Sequence, residues 1–252
     1  INPFKLLPDA LSVIVTGMDY YTDNIQIYND VPVVSRYALG MDYHKVVSDK
    51  LKKLLEFIKS ASPGAEGKVF CDTDPIAEKL WAVEAGLGRQ GKNSLLINEK
   101  KGSFLFLGIL LVNIPLQYDA RCVEEKCGDC TACIESCPTG AINGDYTVDA
   151  RKCISNLTIE NKNPISAELA VSFGKRIYGC DLCQEVCPYN RNVQNHNHPE
   201  FDISEELKYL TKDEWLSLTR ERFERIFRDT PVFRTGFEKF RKNIDIILNG
   251  NG

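Results

Sequence analysis

Cys127-Gly128-Asp129-Cys130-Thr131-Ala132-Cys133-Ile134-Glu135-Ser136-Cys137-Pro138 sets four cysteines at x2, x2 and x3 spacing and closes on proline. Two-residue gaps let successive thiolates curl around one cubic cluster. The proline ends the local turn, so the fourth cysteine points away. This spacing holds 4Fe–4S clusters in pairs, the fourth cysteine ligating the other cluster. Further on, Cys180-x2-Cys183-x3-Cys187-Pro188 repeats the pattern without its first member, because Ile177 stands where that cysteine belongs. Cys153, between the two motifs, restores the count. Crossing the ligands assigns Cys127, Cys130, Cys133 and Cys187 to one cluster, and Cys137, Cys153, Cys180 and Cys183 to the other. Structural zinc sites, the alternative, favour isolated C-x2-C pairs over a doubled four-cysteine run. Gly128, Thr131, Gly140 and Gly179 leave room for backbone N–H groups to reach the sulfurs. Of the ten cysteines, Cys71 and Cys122 are left over and read as buried thiols.

An electron carrier needs only this cysteine module, yet residues 1–118 precede it with a different character. Leu11–Met18 is a β-branched run that predicts a strand. His44–Ser60 places Val47, Leu51, Leu54, Leu55 and Ile58 on one helical face, with lysines opposite. Ser62-Pro63-Gly64 breaks the chain, and Val69–Cys71 predicts a second strand. Asp74 is placed to cap a helix that has Pro75 at its first position and runs to Gly86. Leu95–Asn98 and Phe104–Val112 predict two more strands around a Glu-Lys-Lys-Gly turn. The expectation is an α/β or α+β catalytic domain over residues 1–118, then a bacterial-ferredoxin-like two-cluster domain over 119–195. A helical, basic segment over 196–252 completes the chain.

Composition narrows the class. Hydrophobic residues at 43% and charged residues at 26% are ordinary for a soluble globular chain of 252 residues. No apolar run approaches the roughly 20 residues that span a bilayer; the longest, Phe104–Ile114, reads as a buried strand. The cysteines are too clustered for a secreted disulfide scaffold, so a reducing, cytoplasmic setting is expected. The chain opens on Ile1, which reads as a start lying further upstream. A net charge of −4 excludes wholesale basicity but not a local basic face.

Gly86-Leu87-Gly88-Arg89-Gln90-Gly91-Lys92 matches G-x-G-x-x-G and nearly matches a P-loop. Its glycines follow a helix and precede a strand, the reverse of what either phosphate site requires. Asn93 also stands where a P-loop needs Ser or Thr for magnesium. A tight helix-to-strand turn accounts for the glycines.

Several segments together resemble the epoxyqueuosine reductase family. They are Cys71-Asp72-Thr73-Asp74-Pro75, Ala85-Gly86-Leu87-Gly88 with Gly91-Lys92-Asn93-Ser94, Asp149-Ala150-Arg151-Lys152-Cys153-Ile154-Ser155, and Leu157-Thr158-Ile159-Glu160. Arg176-Ile177-Tyr178-Gly179-Cys180-Asp181 and Cys187-Pro188-Tyr189-Asn190 complete the set, which spans nearly the whole chain. The resemblance implies an enzyme dependent on cobalamin and two 4Fe–4S clusters, which removes the epoxide oxygen from epoxyqueuosine at the wobble position of tRNA. It further implies that an external donor's electrons pass through the clusters to cobalt, in a monomer. The Asp-x-His-x-x-Gly motif that supplies histidine to cobalt in other proteins begins at Asp42-Tyr43-His44 but has Val47 in the glycine position. The resemblance accordingly implies base-off cobalamin without a histidine ligand.

The same resemblance assigns residues. Asp72 matches the family's proton donor, which an opening epoxide requires because it leaves an alkoxide. Its expected place just before a helix N-terminus pulls the other way, since the helix dipole lowers a carboxyl pKa. Tyr20, Tyr21, Ser35-Arg36-Tyr37 and Asp42-Tyr43-His44 resemble pocket segments, with Arg36 and Tyr37 near the cofactor. Lys92, Asn93 and Ser94 are implied cobalamin contacts, and Ser155 and Asp181 line its other side. The chain departs from the family at Asp19-Tyr20-Tyr21, commonly Asn-Tyr-Tyr, and at Arg89-Gln90-Gly91-Lys92, commonly Trp-Ile-Gly-Lys. Residues 220–242 carry eight positive and four negative charges, a net of +4 that suits tRNA phosphates. A salt-bridged exposed helix is the alternative meaning of such mixed charge. Arg234 in that segment, with Lys175 and Arg176 beside the cluster motif, are the named tRNA candidates. His196 and His198 read as a solvated loop. A reductive dehalogenase and a ferredoxin-type electron carrier are the rival readings; the carrier reading makes Asp72 dispensable.

Overall fold

The computed structural model describes residues 3–121 and 127–249, so Cys122 and both chain ends lie outside the described residues. Chain order begins β1 (Ser12–Asp19), β2 (Val33–Val34), α1 (Tyr43–Ala61), β3 (Gly67–Phe70), α2 (Glu78–Glu84), β4 (Arg89–Gln90), β5 (Leu96–Ile97) and β6 (Leu105–Val112). β6 is the centre of a three-stranded sheet, with β1 and β3 on either side. Both pairings are antiparallel, running from Ser12↔Val112 to Asp19↔Leu105 and from Gly67↔Val112 to Phe70↔Ile109. The layer is therefore α+β, not a parallel α/β sheet.

The unbroken apolar run of β6 is explained by burial on both faces. Because side chains alternate along a strand, Phe106, Leu110 and Val112 join Val46, Val47, Leu51 and Leu55 of α1. Ile109 and Leu111 join Phe70, Ile76 and Trp81 on the opposite face. Full burial of each such side chain contributes about 1.5–3 kcal/mol, so the two faces hold α1 and α2 to one sheet. Leu54 and Ile58, expected on the α1 core face, sit at its margin.

The predicted Asp74 cap is corrected. Asp74 Oδ2 accepts the Cys71 N–H at 3.2 Å, closing the turn backward rather than forward. Residues 74–77 stay outside the helix, α2 starts at Glu78 after an Ala77 N-cap, and its C-terminal end is Glu84. Glu78, in the first turn, sends its carboxylate back to the Asp72 N–H at 2.6 Å.

Beyond the sheet the chain forms short turns: α3 (Ala132–Glu135), α4 (Ile154–Ile159), α5 (Ala167–Val171), β7 (Arg176–Tyr178) and α6 (Leu182–Glu185). The C-terminal part then forms α7 (Glu205–Lys208), α8 (Lys212–Leu216), α9 (Arg220–Phe227) and α10 (Phe237–Asn249). Its Trp215, Phe223, Phe227, Phe240 and Ile244 share one core with Val34, Leu39, Leu157, Phe173, Ile177 and Tyr178. The tail is thus built into the cluster half rather than appended to it. β7 pairs in parallel with β2, and Ile177 is fully buried, so position 177 serves the core.

Ion pairs take up most of the basic segment. Arg220 pairs with Glu238 at 2.6 Å, Arg222 with Glu206 and Glu214 at 3.0 and 2.8 Å, Arg225 with Glu206 at 2.7 Å, and Arg241 with Asp245 at 2.6 Å. For these residues the salt-bridged alternative is the one the structure takes. His196 and His198 do not form a solvated loop: both rings pack against Phe201, and His198 Nε2 meets Asp19 Oδ1 at 3.1 Å.

Candidate active site and cluster module

β3 delivers Cys71 to the sheet edge, where it is buried and donates its thiol to the Leu107 carbonyl at 3.5 Å. Asp72 follows with φ of +56°, a left-handed conformation that few residues other than Gly, Asn and Asp adopt. That backbone turns the Asp72 side chain toward the start of α1. There Tyr43 donates its hydroxyl to Asp72 Oδ2 at 2.7 Å, and His44 Nε2 lies 3.1 Å from the same oxygen. Asp42, the α1 N-cap, accepts the His44 N–H and contacts His44 Nδ1 at 2.6 Å. Both ring nitrogens of His44 are therefore held by carboxylates. Tyr43 is stacked between His44 and Phe106, with centroids 4.1 and 4.3 Å away. Tyr37 meets Tyr43 edge-on at 6.1 Å.

The electrostatics follow from this geometry. Hydrogen bonding from His44, then from Tyr43, holds Asp72 below its usual carboxylate range despite burial, and Arg234 adds to the effect. Burial disfavours the charge on His44, but Asp42 and Asp72 outweigh it and push its pKa up to about 9. Burial, with Asp72 and Asp74 nearby, pushes Glu78 up to about 7. At neutral pH the cleft holds an ionised Asp72 between a protonated His44 and a phenol.

A chain of polar contacts leads from this cleft to the cysteines. Lys79 Nζ donates to the Ser94 carbonyl at 2.8 Å, and Asn93 Nδ2 donates to the Cys183 carbonyl at 3.3 Å. Lys92 Nζ donates to the carbonyls of Gly128 and Cys130 at 2.6 and 3.2 Å, so it meets the cluster loop directly. Arg36 and Asp181 come together: Asp181 Oδ2 accepts the Arg36 N–H at 2.8 Å, Ser35 donates to Asp181 Oδ1, and Arg36 also pairs with Glu185 at 2.6 Å. Ser155 stands apart in α4, where its carbonyl accepts from Thr158. Lys175 donates to the Asn29 carbonyl at 2.5 Å, Arg176 to the Phe173 carbonyl at 3.2 Å, and Arg234 pairs with Glu160 at 2.6 Å.

Four cysteines ring one cavity. Cys127, Cys130, Cys133 and Cys187 line a space of about 140 Å³, closed by Pro188, Tyr189 and Asn93. Burial, then the neighbouring Cys127, Cys187 and Cys130, pushes the Cys133 thiol up. Cys180 and Cys153 act in the same way on Cys183, after burial. Cys137 is the exception: burial raises it, but donors from Thr139, Ala141 and Ile142 outweigh that, the Ala141 N–H reaching Sγ at 3.3 Å. N–H donors aimed at sulfur suit a thiolate that ligates iron.

The G-x-G-x-x-G stretch runs from the end of α2 through β4 to the turn before β5. A Cβ on Gly88 would come within 2.5 Å of the Ile97 carbonyl, and one on Gly91 within 2.6 Å of the Ile97 side chain. These glycines permit close β4–β5 packing, not phosphate binding. A buried network that sequence reasoning missed ties the second cysteine motif to the sheet. Asn190 donates to Ser103 Oγ and the Gln184 carbonyl at 2.9 and 2.7 Å, and Gln184 donates to the Ser103 carbonyl at 3.0 Å. Its signal in the sequence was only Asn190 after Cys187-Pro188-Tyr189.

Comparison with known proteins gives two family matches. "Epoxyqueuosine reductase QueG, DUF1730" matches residues 1–73, and "4Fe-4S double cluster binding domain" matches residues 126–190. The chain is 42% identical over 247 residues to the epoxyqueuosine reductase of Cellulophaga algicola, covering 98% of itself and 80% of that protein. It is 43% identical over 252 residues to the Escherichia coli enzyme, covering 98% of itself and 66% of that protein. The epoxyqueuosine reductase structure from Streptococcus thermophilus superposes with a TM-score of 0.89 at 31% identity, over 100% of this chain and 67% of that one. An epoxyqueuosine reductase bound to an epoxyqueuosine-modified tRNA-Tyr stem loop superposes with a TM-score of 0.87 at 30% identity, over 99% and 67%. The Bacillus subtilis structure, whose aspartate-bearing catalytic loop is swung out of the active site, gives 0.86 at 30% identity, over 99% and 67%. A catabolic reductive dehalogenase shares the fold at a TM-score of 0.50 and 16% identity, over 95% and 30%.

Proposed function

The chain belongs to the epoxyqueuosine reductase family, and from that premise we propose that it reduces epoxyqueuosine to queuosine in tRNA, with Asp72 handing over the proton. It is an oxidoreductase. Loss of the epoxide oxygen as water takes two electrons and two protons. The observation that carries the reading is the Tyr43–Asp72–His44 cluster, which stores a proton beside a half-exposed carboxylate.

The residues fit the implied cofactors. Cys127, Cys130, Cys133 and Cys187 would hold one 4Fe–4S cluster, supported by the cavity they ring. Cys137, Cys153, Cys180 and Cys183 would hold the other, supported by the proximity of Cys153 and Cys180 to Cys183. For cobalamin the test is His44. With Nδ1 on Asp42 and Nε2 on Asp72, it has no nitrogen left for cobalt, which suits a base-off form without histidine. Arg36, Tyr37, Lys92, Asn93, Ser94, Ser155 and Asp181 are its proposed contacts; the polar path from Lys79 to Cys183 supports Ser94 and Asn93 among them. When bound, these groups supply the low-potential electrons that break the C–O bond.

The chain's own side chains handle the proton. Opening the epoxide creates an alkoxide, a far stronger base than Asp72. The proton resident on His44 Nε2 then passes through Asp72 Oδ2 to that oxygen, the second follows by the same route after water reprotonates His44, and Asp42 keeps the imidazole ring aligned. Lys175, Arg176 and Arg234 are proposed tRNA contacts, supported by the tRNA-bound relative and by the charge of Arg234 acting on Asp72. Among the described residues no helix is long and apolar enough to cross a membrane. The clustering of the cysteines in cluster-binding motifs supports a reducing, cytoplasmic setting.

The test is anaerobic incubation of the loaded protein with epoxyqueuosine-containing tRNA and a strong reductant, followed by nucleoside mass spectrometry. A product one oxygen lighter supports the proposal; unchanged nucleoside in the presence of intact clusters rejects it.

A pH prediction follows for His44. A proton held to about 9 keeps the pair charged throughout the neutral range. In His44→Gln the proton must reside on Asp72 alone, and the alkaline limb of the rate profile should move toward ordinary carboxylate values near about 4. Single-turnover rates from acid to alkaline pH measure this; an unmoved limb would remove His44 from the proton path.

A further inference from the structure

We infer that Arg89 sets the reduction potential of the cluster held by Cys127, Cys130, Cys133 and Cys187, raising it by placing a buried positive charge beside it. The inference rests on that ligand set as proposed above.

Arg89 opens β4 and is only 4% exposed. Its guanidinium lies over the Tyr189 ring, 4.4 Å from the centroid, and Tyr189 lines the cavity that the four cysteines ring. Among the described residues, Nε and Nη2 have no hydrogen-bond partner. The one ion pair is long: Nη1 to Glu99 Oε1 at 3.5 Å, with the Glu99 side chain 60% exposed. An arginine placed for stability would have its donors satisfied. This one keeps an incompletely neutralised charge in a site of low dielectric. Tyr189 follows Cys187 by two residues and lines the same cavity, so the guanidinium lies against the turn that carries that ligand.

Lys92, three residues on, places a second cation on the carbonyls of Gly128 and Cys130, but at a half-buried position that water partly screens. Nearby charge and donors to sulfur are the means by which a protein shifts a cluster potential. The step concerned is the addition of one electron to the cluster from a low-potential one-electron donor. No bond forms or breaks, and Arg89 keeps its proton. A fixed positive charge favours the more negative, reduced cluster and so raises the potential.

The experiment is an anaerobic redox titration of the cluster-loaded protein, followed by electron paramagnetic resonance, for the parent chain, Arg89→Gln, Arg89→Lys, Arg89→Trp and Glu99→Gln. In Arg89→Gln and Arg89→Trp one of the two couples should shift negative by a tenfold change in the reduced-to-oxidised ratio, about 59 mV for one electron. The other couple should stay in place. Arg89→Lys should remain close to the parent. Glu99→Gln, a surface change that leaves the core intact, should shift the same couple the other way by less. If the Gln variant fails to fold, the tryptophan and Glu99 variants carry the test. Intact cluster signals with both potentials unmoved would overturn the role of Arg89 and leave the ligand set standing. A parent chain showing no cluster signal would remove both.

Discussion

Asp72→Asn is expected to lower single-turnover conversion of epoxyqueuosine by about 10²–10⁴-fold, the usual contribution of a positioned general acid. Iron and sulfide content should be unchanged. The substitution suits the site because Asp72 sits at φ +56°, a conformation that asparagine adopts with little penalty. The backbone bond from Asp72 N–H to Glu78 Oε1 at 2.6 Å also survives, since it involves no side-chain atom of residue 72. What is lost is the carboxylate that bridges Tyr43 and His44. Asp72→Ala would confound this by straining the turn. Nucleoside mass spectrometry under single-turnover conditions measures the loss, and a rate within a few-fold of the parent would show that the proton comes from elsewhere. A ferredoxin-type carrier predicts that parent result, because it gives Asp72 no task.

The sequence carried the cluster module well because its information is local. Cysteine spacing within twelve residues sets Cys127, Cys130 and Cys133 side by side, and the fold brings Cys187 of the second motif to the same cavity. The apolar run of β6 was legible for the same reason. The proton path was not: Asp42 and His44 belong to the start of α1 and Asp72 to the end of β3, and only the sheet brings them to hydrogen-bond distance. The Asp74 cap failed because the Cys71 N–H competed for its carboxylate, an option invisible in the Asp-Pro signal. The ion pairing of the basic stretch was not legible, because its carboxylate partners Glu206, Glu214 and Glu160 lie outside it in sequence. Arg89 was the least legible. The stretch reads only as a tight helix-to-strand turn, whereas the close β4–β5 packing that Gly88 and Gly91 permit buries Arg89.

Cys153→Ser should remove one cluster and abolish turnover while the other cluster remains. Cys153 lies just before α4, in the N-cap position, and is near Cys180 and Cys183. Loss of its thiolate leaves three ligands, so about half of the bound iron and labile sulfide should disappear and one of two paramagnetic signals with it. Turnover should fall below detection, because electrons reach the substrate only through a complete path. The decisive control is Cys153→Ser with Ile177→Cys, which rebuilds the missing first member of the second motif. It is not expected to rescue. Residue 177 is fully buried in β7, within the core that Tyr178 and Phe240 share, and its carbonyl is held by Asn243 Nδ2 at 2.9 Å. A thiol there faces Leu and Phe side chains and not iron. Restored iron and turnover in the double variant would mean that β7 can rearrange and that Cys153 is dispensable. Continued loss would show that the fourth ligand comes from the start of α4 and not from the second motif, which leaves position 177 to the hydrophobic core.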